Sequence, residues 1–439
     1  MNKKHGTFKG GIHPNYNKQY TDKLAIEVMP APKEIVLPMS MHIGAPCNAV
    51  VAVGDCVKMG QLVAEAGGFV SANIHSSVSG KVLKIEQRQT ANGKQMCIVI
   101  ENDFLDTLDE SILTEAIDVS TIEPKQVVDC AANAGLVGLG GATFPTRVKL
   151  SPPPDSPIDY VIINAAECEP YLTSDHAIMR EDAIKVVGGL KLMMKALNLS
   201  KGYIGIEDNK MDAVEALRAV SDDSIEIRVL HTKYPQGSEK HLITAITGRE
   251  VPSGALPSAV GCIVSNSGTA LALYDAVTLN LPLIQRVVTV TGSGINTPKV
   301  LRFRLGTLVS EIIEYCGGLS DGCKKVILGG PMMGFAQFDV NVPGVKGTSG
   351  ILCLNEKDAF IAEPSNCIRC GKCTEVCPMA LMPLYLGAYS SKANYDACAD
   401  YHIMDCIECG SCAYTCPARR PLVASIRVAK NEIRKNAKR

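Results

Sequence analysis

Residues 138–149 read GLGGATFPTRVK, and the fold of the middle of the chain depends on what kind of glycine loop this is. Gly138 and Gly140 give G-x-G, but Thr143 stands where G-x-G-x-x-G places its third glycine. A dinucleotide turn also follows a strand and opens a helix. Here the helical run PKQVVDCAANAG ends near Ala134, just before the loop, and the proline-rich KLSPPPDSP comes after it. The standard dinucleotide turn fails in this context, although free amides with Lys149 close behind still suit a phosphate.

Outward from the loop, residues from about 124 to 280 alternate helix and strand patterns. DYVIINA, KGYIGIE, SIEIRVL and GCIVSN read as strands. AIMREDAIKVVGGLKLMMKALNL reads as one long amphipathic helix, and MDAVEALRAV, EKHLITAITG and GTALALYDAV as shorter ones. Such alternation predicts a layered α/β domain with a largely parallel sheet.

The second strong signal lies near the C-terminus. CIRCGKCTEVCP at 367–378 and CIECGSCAYTCP at 406–417 are both C-x2-C-x2-C-x3-C-P runs, the two-cluster ferredoxin pattern in which the fourth cysteine serves the other cluster. Cys367, Cys370, Cys373 and Cys416 are expected to hold one [4Fe-4S] cluster, and Cys406, Cys409, Cys412 and Cys377 the other. Zinc, the alternative for paired CxxC, requires neither the doubled run nor the trailing Cys-Pro. The other ten of the 18 cysteines are scattered and read as small buried hydrophobes.

With 439 residues the chain is long enough for three or four domains. Its 44 basic and 45 acidic residues nearly cancel, which removes any whole-chain case for nucleic acid. The first thirty residues contain no apolar signal core, and no run approaches the roughly 20 apolar residues of a membrane span. The expectation is a soluble or peripheral protein.

Four motifs carry a resemblance. GLGGATFPTRVK is similar to the G-x-G-G-A-G-F-P-T-x-x-K loop of the NADH-binding flavoprotein subunit of respiratory complex I. NAAECEPYLTSD resembles its N-A-D-E-x-E-P segment, YPQGSEKHLI its Y-x-x-G-E-E helix start, and VSNSGT its N-N-V-E-T turn, all in the same order. The resemblance implies an FMN held by Gly138, Gly140, Lys149, Asn164, Glu167, Tyr234, Gly237 and Asn266, with Lys149 near its phosphate. It implies NADH contacts at Phe144, which would stack on the dinucleotide, and at the carboxylates Glu169 and Glu239. Hydride transfer would take place on the FMN, with no catalytic acid or nucleophile. The chain departs from the pattern at Ala166, where the family has aspartate, at Ser238, where it has glutamate, and at the Pro152 to Pro154 run, which replaces an aromatic.

The flanking segments complete a multidomain α/β and α+β architecture. Residues 1–33 form an N-terminal extension. Residues 34–115, with NAVVAVGDCVKMGQLVAE and SSVSGKVLKIE, look like a lipoyl- or biotinyl-type β-sandwich. No lysine lies between Lys58 and Lys81, so this is a structural or docking module rather than a carrier. Residues 116–282 form the FMN and NADH unit, 283–345 a β-grasp (SLBB-like) unit, 346–418 the ferredoxin-type helical unit, and 419–439 a basic amphipathic helix suited to an anionic membrane or a partner.

This order, with TFKGGIHP and AECEPYLTSDHAIM, closely resembles the C subunits of Rnf ion-translocating ferredoxin:NAD oxidoreductases. The resemblance implies a peripheral iron-sulfur flavoprotein on the cytoplasmic face of the cell membrane. It would exchange a hydride between NAD(H) and FMN and single electrons between FMN and the clusters. Its partners would be the other membrane and iron-sulfur subunits, which move Na+ or H+, and, indirectly, ferredoxin. Two other readings share features: a soluble or microcompartment cobalamin reductase of similar architecture, and a non-enzymatic iron-sulfur scaffold whose flavin pocket has decayed.

Overall fold

The computed structural model describes residues 6–436. The central unit is built on four parallel strands in the spatial order Ile225–Leu230, Gly202–Glu207, Tyr160–Ala165, Cys262–Asn266. In chain order this is 3-2-1-4, so the winding reverses between Tyr160–Ala165 and Cys262–Asn266, and the carboxyl ends of those two strands open the crevice where doubly wound sheets take ligands. Asn164 and Asn266 are register partners across that reversal.

Helices expected from the apolar period are present at Pro124–Asn133, Met211–Val220, Glu239–Thr247 and Ser267–Leu279. The single long helix expected after the first strand is instead two, Ser174–Glu181 and Ala183–Ala196. Asp182 leaves helical geometry between them at φ −116°, and its carboxylate accepts from Arg302 at 2.9 Å. Apolar periodicity runs through the break because residues on both sides of it are buried, among them Ile178, Met179, Ala183, Val186 and Val187.

The N-terminal sandwich pairs a four-stranded sheet (Glu34–Pro38, Gly93–Asn102, Gly80–Thr90, Cys56–Val57) with a three-stranded one (Asn48–Ala49, Leu62–Glu65, Ile74–His75). Its lysine-free tip is docked on the central unit, where Arg147 donates to the carbonyls of Gly68 and Phe69 at 3.2 and 2.9 Å.

The third unit is a six-stranded mixed sheet in the order Ile26–Val28, Lys299–Arg304, Gln285–Thr291, Gly350–Asn355, Cys323–Leu328, Phe335–Gln337, with the helix Val309–Tyr315 connecting two of its strands. The sheet reaches beyond the expected β-grasp unit in two places. Gly350–Asn355 pairs with both Gln285–Thr291 and Cys323–Leu328, so the boundary at 345 cuts through the sheet. Ile26–Val28, assigned to the extension, adds an edge strand parallel to Lys299–Arg304. Neither pairing leaves a local trace, because each partner lies far away in sequence.

The C-terminal helix Leu422–Asn436 also departs from expectation. Its apolar face is not free for a membrane: Ile426 and Ala429 are 1 % and 0 % exposed, packed with Leu381, Leu386, Cys398 and Ile403 of the cysteine-rich unit. Arg427 and Lys430 are tied to Glu408 at 2.8 and 2.7 Å. The basic residues Lys438 and Arg439 lie outside the described residues. Among the described residues no helix is long and apolar enough to cross a membrane.

Helices Ala183–Ala196 and Ser267–Leu279 meet where Gly189 has no side chain; a Cβ there would stand 1.9 Å from the Ala270 carbonyl oxygen. Gly189→Ala is therefore expected to destabilise the protein by about 1–3 kcal/mol through overpacking, read as a lower thermal midpoint. An unchanged midpoint would show that the two helices can separate without cost.

Candidate functional site

The glycine loop is closed on itself. The Gly138 amide donates to the Phe144 carbonyl at 2.8 Å and the Thr143 amide to the Gly138 carbonyl at 3.2 Å. Thr143 has φ 51°, the left-handed region that glycine enters without strain, so the position reads as glycine-like although a threonine occupies it. Buried groups hold Leu139 at the crest: Thr269 Oγ1 accepts from its amide at 2.8 Å, and Arg286 donates to its carbonyl at 2.5 Å. Among the described residues the amides of Gly140, Gly141 and Ala142 have no acceptor. A Cβ at Gly138 or Gly140 would meet nothing closer than 3.6 Å, so these two glycines leave space for something outside the chain.

That space is a cleft of about 380 Å³ at the sheet's winding reversal, within the range of small-ligand sites. Gly138, Gly140, Phe144, Lys149, Asn164, Glu167, Glu169, Tyr234, Gly237, Glu239 and Asn266 all line it. Asn164 closes one wall by donating to the Gly237 carbonyl at 2.7 Å. Gly237 itself is required by close approach, since a Cβ there would stand 2.2 Å from the Ala166 carbonyl oxygen. Lys149 donates to Glu239 at 2.9 Å and to the Val264 carbonyl at 2.8 Å.

Buried carboxylates form the floor. Glu167 accepts from the amides of Asp175 and His176 at 3.0 and 3.2 Å and from the Ser174 hydroxyl at 3.2 Å, which caps the helix Ser174–Glu181. Burial, then repulsion from Glu167, pushes the Asp175 carboxyl up, against the pull of buried Arg286. Glu169 accepts from the Met332 amide at 3.2 Å, while its other oxygen is buried with no partner. Burial lifts its carboxyl to about 7 despite the Met332 and Met333 amides and Lys18.

Some lining residues escaped the sequence reading. Asp175 sits inside the quoted NAAECEPYLTSD run; Met333 and Ile407 reach the cleft from the third and fourth units. Nothing local marks those two, because only the packing of units brings them in.

The cysteine runs fold alike. Arg369 and Glu408 have φ 57° and 58°, Gly371 and Gly410 φ 79° and 84°, and the amides of Arg369 and Glu408 donate to Cys367 and Cys406 Sγ, each at 3.4 Å. Cys367, Cys370, Cys373 and Cys416 surround a cavity of about 70 Å³. Cys377, Cys406 and Cys409 all lie within electrostatic reach of Cys412. In both sets the fourth cysteine comes from the opposite run, as a two-cluster ferredoxin unit requires. Among the described residues no three His, Cys, Asp or Glu side chains are grouped to hold a single metal ion; the first set instead encloses a volume.

The two sets differ in depth. Cys367 and Cys370 are exposed, whereas Cys409 and Cys412 are buried. The buried set abuts the cleft: the Tyr234 hydroxyl donates to the Cys409 carbonyl at 2.7 Å, and Ile407 lines the cleft wall.

A glycine-loop cleft at a sheet reversal, joined to a doubled cysteine fold, defines a flavin- and iron-sulfur-dependent oxidoreductase. Family models match four segments: an RnfC barrel sandwich hybrid domain over residues 6–105, a Nuo51 FMN-binding domain over 131–275, an SLBB domain over 287–336 and a 4Fe-4S dicluster domain over 366–419. The chain is 55 % identical to the C subunit of the Na(+)-translocating ferredoxin:NAD(+) oxidoreductase complex of Acetobacterium woodii, over 99 % of this chain and 98 % of that one. It is 48 % identical to the proton-translocating counterpart of Clostridium ljungdahlii, over 98 % and 94 %. The chain belongs to this family, the C subunits of ion-translocating ferredoxin:NAD+ oxidoreductase complexes. An NAD+-reducing [NiFe]-hydrogenase in its H2-reduced state has a similar fold, with a TM-score of 0.51 and 16 % identity over 72 % of this chain and 67 % of that one.

The partnerless Glu169 oxygen has a consequence for stability. Its carboxyl ionises near pH 7 in the folded protein and near 4.5 in the unfolded chain, so stability present below pH 4.5 falls as pH rises toward 7 and then levels. Glu169→Gln, uncharged throughout, is expected to gain about 1–3 kcal/mol on the parent between pH 5 and 8. Denaturant midpoints at both pH values measure the difference, and parallel midpoints would refute it.

Proposed function

We propose that this chain exchanges electrons between a nicotinamide dinucleotide and the rest of an ion-translocating complex, as a peripheral subunit on the cytoplasmic face of the membrane. Partner subunits would carry the Na+ or H+ movement. The observation that carries the reading is the shared wall between the cleft and the buried cysteine set, made by Tyr234, Cys409 and Ile407.

The unspent amides of Gly140, Gly141 and Ala142, together with Lys149, suit the FMN phosphate, with Gly138, Asn164, Glu167, Tyr234, Gly237 and Asn266 framing the rest of the group. Phe144 offers a ring face to the dinucleotide, and Glu169 and Glu239 offer acceptors to its hydroxyls. When bound, FMN supplies the change between a hydride's electron pair and the single electrons that iron-sulfur clusters carry. The chain's own work is positioning. Lys149 exchanges its Glu239 contact for phosphate, which frees that carboxylate. Asn164 and Gly237 keep the two wall loops closed. Tyr234, 1 % exposed, seals the wall toward Cys409 against water. The buried set of Cys377, Cys406, Cys409 and Cys412 then serves as the inner relay, and the exposed Cys367 and Cys370 mark the outer one. The family membership and the intact cleft favour this reading over a cobalamin reductase or a flavin-free scaffold.

Anaerobically purified protein is expected to contain eight irons per chain, from two [4Fe-4S] clusters, and stoichiometric FMN, and NADH should bleach the flavin absorbance. Cys409→Ser should leave that bleaching intact while NADH no longer reduces the outer cluster, detected by electron paramagnetic resonance. Cys370→Ser should leave the inner cluster reducible. Flavin that stays oxidised in excess NADH would end the proposal.

A further inference from the structure

We propose that the N-terminal segment, residues 6–21, is a positioning strap with two jobs: Gly10, Gly11 and Ile12 set the inner cysteines against the cleft wall, and Lys18 sets the loop carrying Glu167 and Glu169. The inference rests on reading the cleft as the FMN and dinucleotide site.

The segment threads between the central and cysteine-rich units. The Gly11 amide donates to the Val376 carbonyl at 2.8 Å, one residue before Cys377, while Ile12 and Tyr234 exchange amide-to-carbonyl bonds at 2.8 and 2.9 Å. One tripeptide thereby bonds both the residue before a predicted cluster ligand and the residue that bridges to Cys409. Room at this point is minimal. Gly10 and Gly11 have φ 74° and 79°; a Cβ on Gly10 would stand 2.8 Å from the Cys377 carbonyl oxygen, and one on Gly11 2.7 Å from the Tyr234 carbonyl oxygen. The Ile12 side chain packs with Cys168, Tyr234 and Cys409. Farther along, buried Lys18 donates to the carbonyls of Glu167, Glu169 and Leu172 at 2.8, 3.0 and 2.5 Å. Its ammonium thus gathers the turn on which both carboxylates ride. The Tyr171 amide donates to the Tyr16 carbonyl at 2.7 Å and Thr21 bonds Thr173 at 2.7 Å, which pins the same loop from either side.

The two jobs predict two separable defects, measured on holoprotein with verified iron and flavin content. Gly10→Ala should leave flavin bleaching by NADH within about twofold of the parent, yet slow the following cluster reduction by on the order of tenfold or more, as expected for a displacement of a fraction of an ångström to ~1 Å. Lys18→Met should do the reverse, raising the NADH concentration for half-bleaching about tenfold while cluster reduction keeps its rate once the flavin is bleached. Gly93→Ala is the control: this hairpin glycine has φ 98° and open space around it, so it imposes comparable backbone strain without the contact and should alter neither step. Ile12→Ala, which trims only the packing against Tyr234 and Cys409, gives the same reading if Gly10→Ala does not assemble. Equal slowing of both steps, or of neither, in the Gly10 or Ile12 variant with full cofactor content would overturn the strap. A parent protein that NADH fails to bleach would instead overturn the reading of the cleft.

Discussion

The hydrogen bond from the Tyr234 hydroxyl to the Cys409 carbonyl joins two units that are otherwise unlike, a parallel α/β sheet and a helical cysteine fold. Electron transfer between a cleft and a metal cluster needs no bond chemistry from the protein, only a short, dry and constant separation. Tyr234 is buried at that contact: desolvation, then the negative groups around it, raises its phenol well above the ordinary range, so it remains a neutral donor. Ile12 of the strap and Ile407 pack beside that contact, and the C-terminal helix ties down Glu408, the residue before Cys409.

A second theme is the use of buried cations to bond backbone carbonyls across units. Lys346 donates to Asn73 of the sandwich and Gly135 of the central unit at 2.6 and 2.8 Å. Arg286, from the mixed sheet, holds the crest of the glycine loop and the Thr348 carbonyl. Lys18 gathers three carbonyls of one turn. Burial lowers the ammonium of Lys18 to about 8 and that of Lys346 to about 7, so each contact has a desolvation cost. The return is directional: several fixed carbonyls define a position more sharply than one flexible carboxylate would.

Much of the site was legible beforehand because its residues lie in short runs with strict spacing. A ferredoxin-type cubane takes three of its thiolates from one C-x2-C-x2-C run, and a phosphate loop takes small residues and free amides in a row. The eleven expected cleft residues come from four such runs, two of them on the strand ends at the sheet reversal and the other two packed against those ends. Thr143 looked like a departure, yet it adopts the conformation that glycine favours, since the loop's closing hydrogen bonds impose the turn.

What stayed hidden shares one cause. The split at Asp182 depends on Arg302, the edge strand Ile26–Val28 on a partner some 270 residues later, and the lining role of Met333 and Ile407 on how whole units pack. The C-terminal helix is amphipathic, but a pattern of apolar positions cannot say which surface they meet, and here it is the chain's own cysteine-rich core. The sequence by itself determined the cluster chemistry, because it resides in the local spacing of the two cysteine runs, and its motifs implied the flavin and the order of the units through their resemblance to known families. Only the tertiary structure decided which cluster faces the cleft, where the N-terminal strap runs and what the last helix covers, because those follow from contacts between residues far apart along the chain.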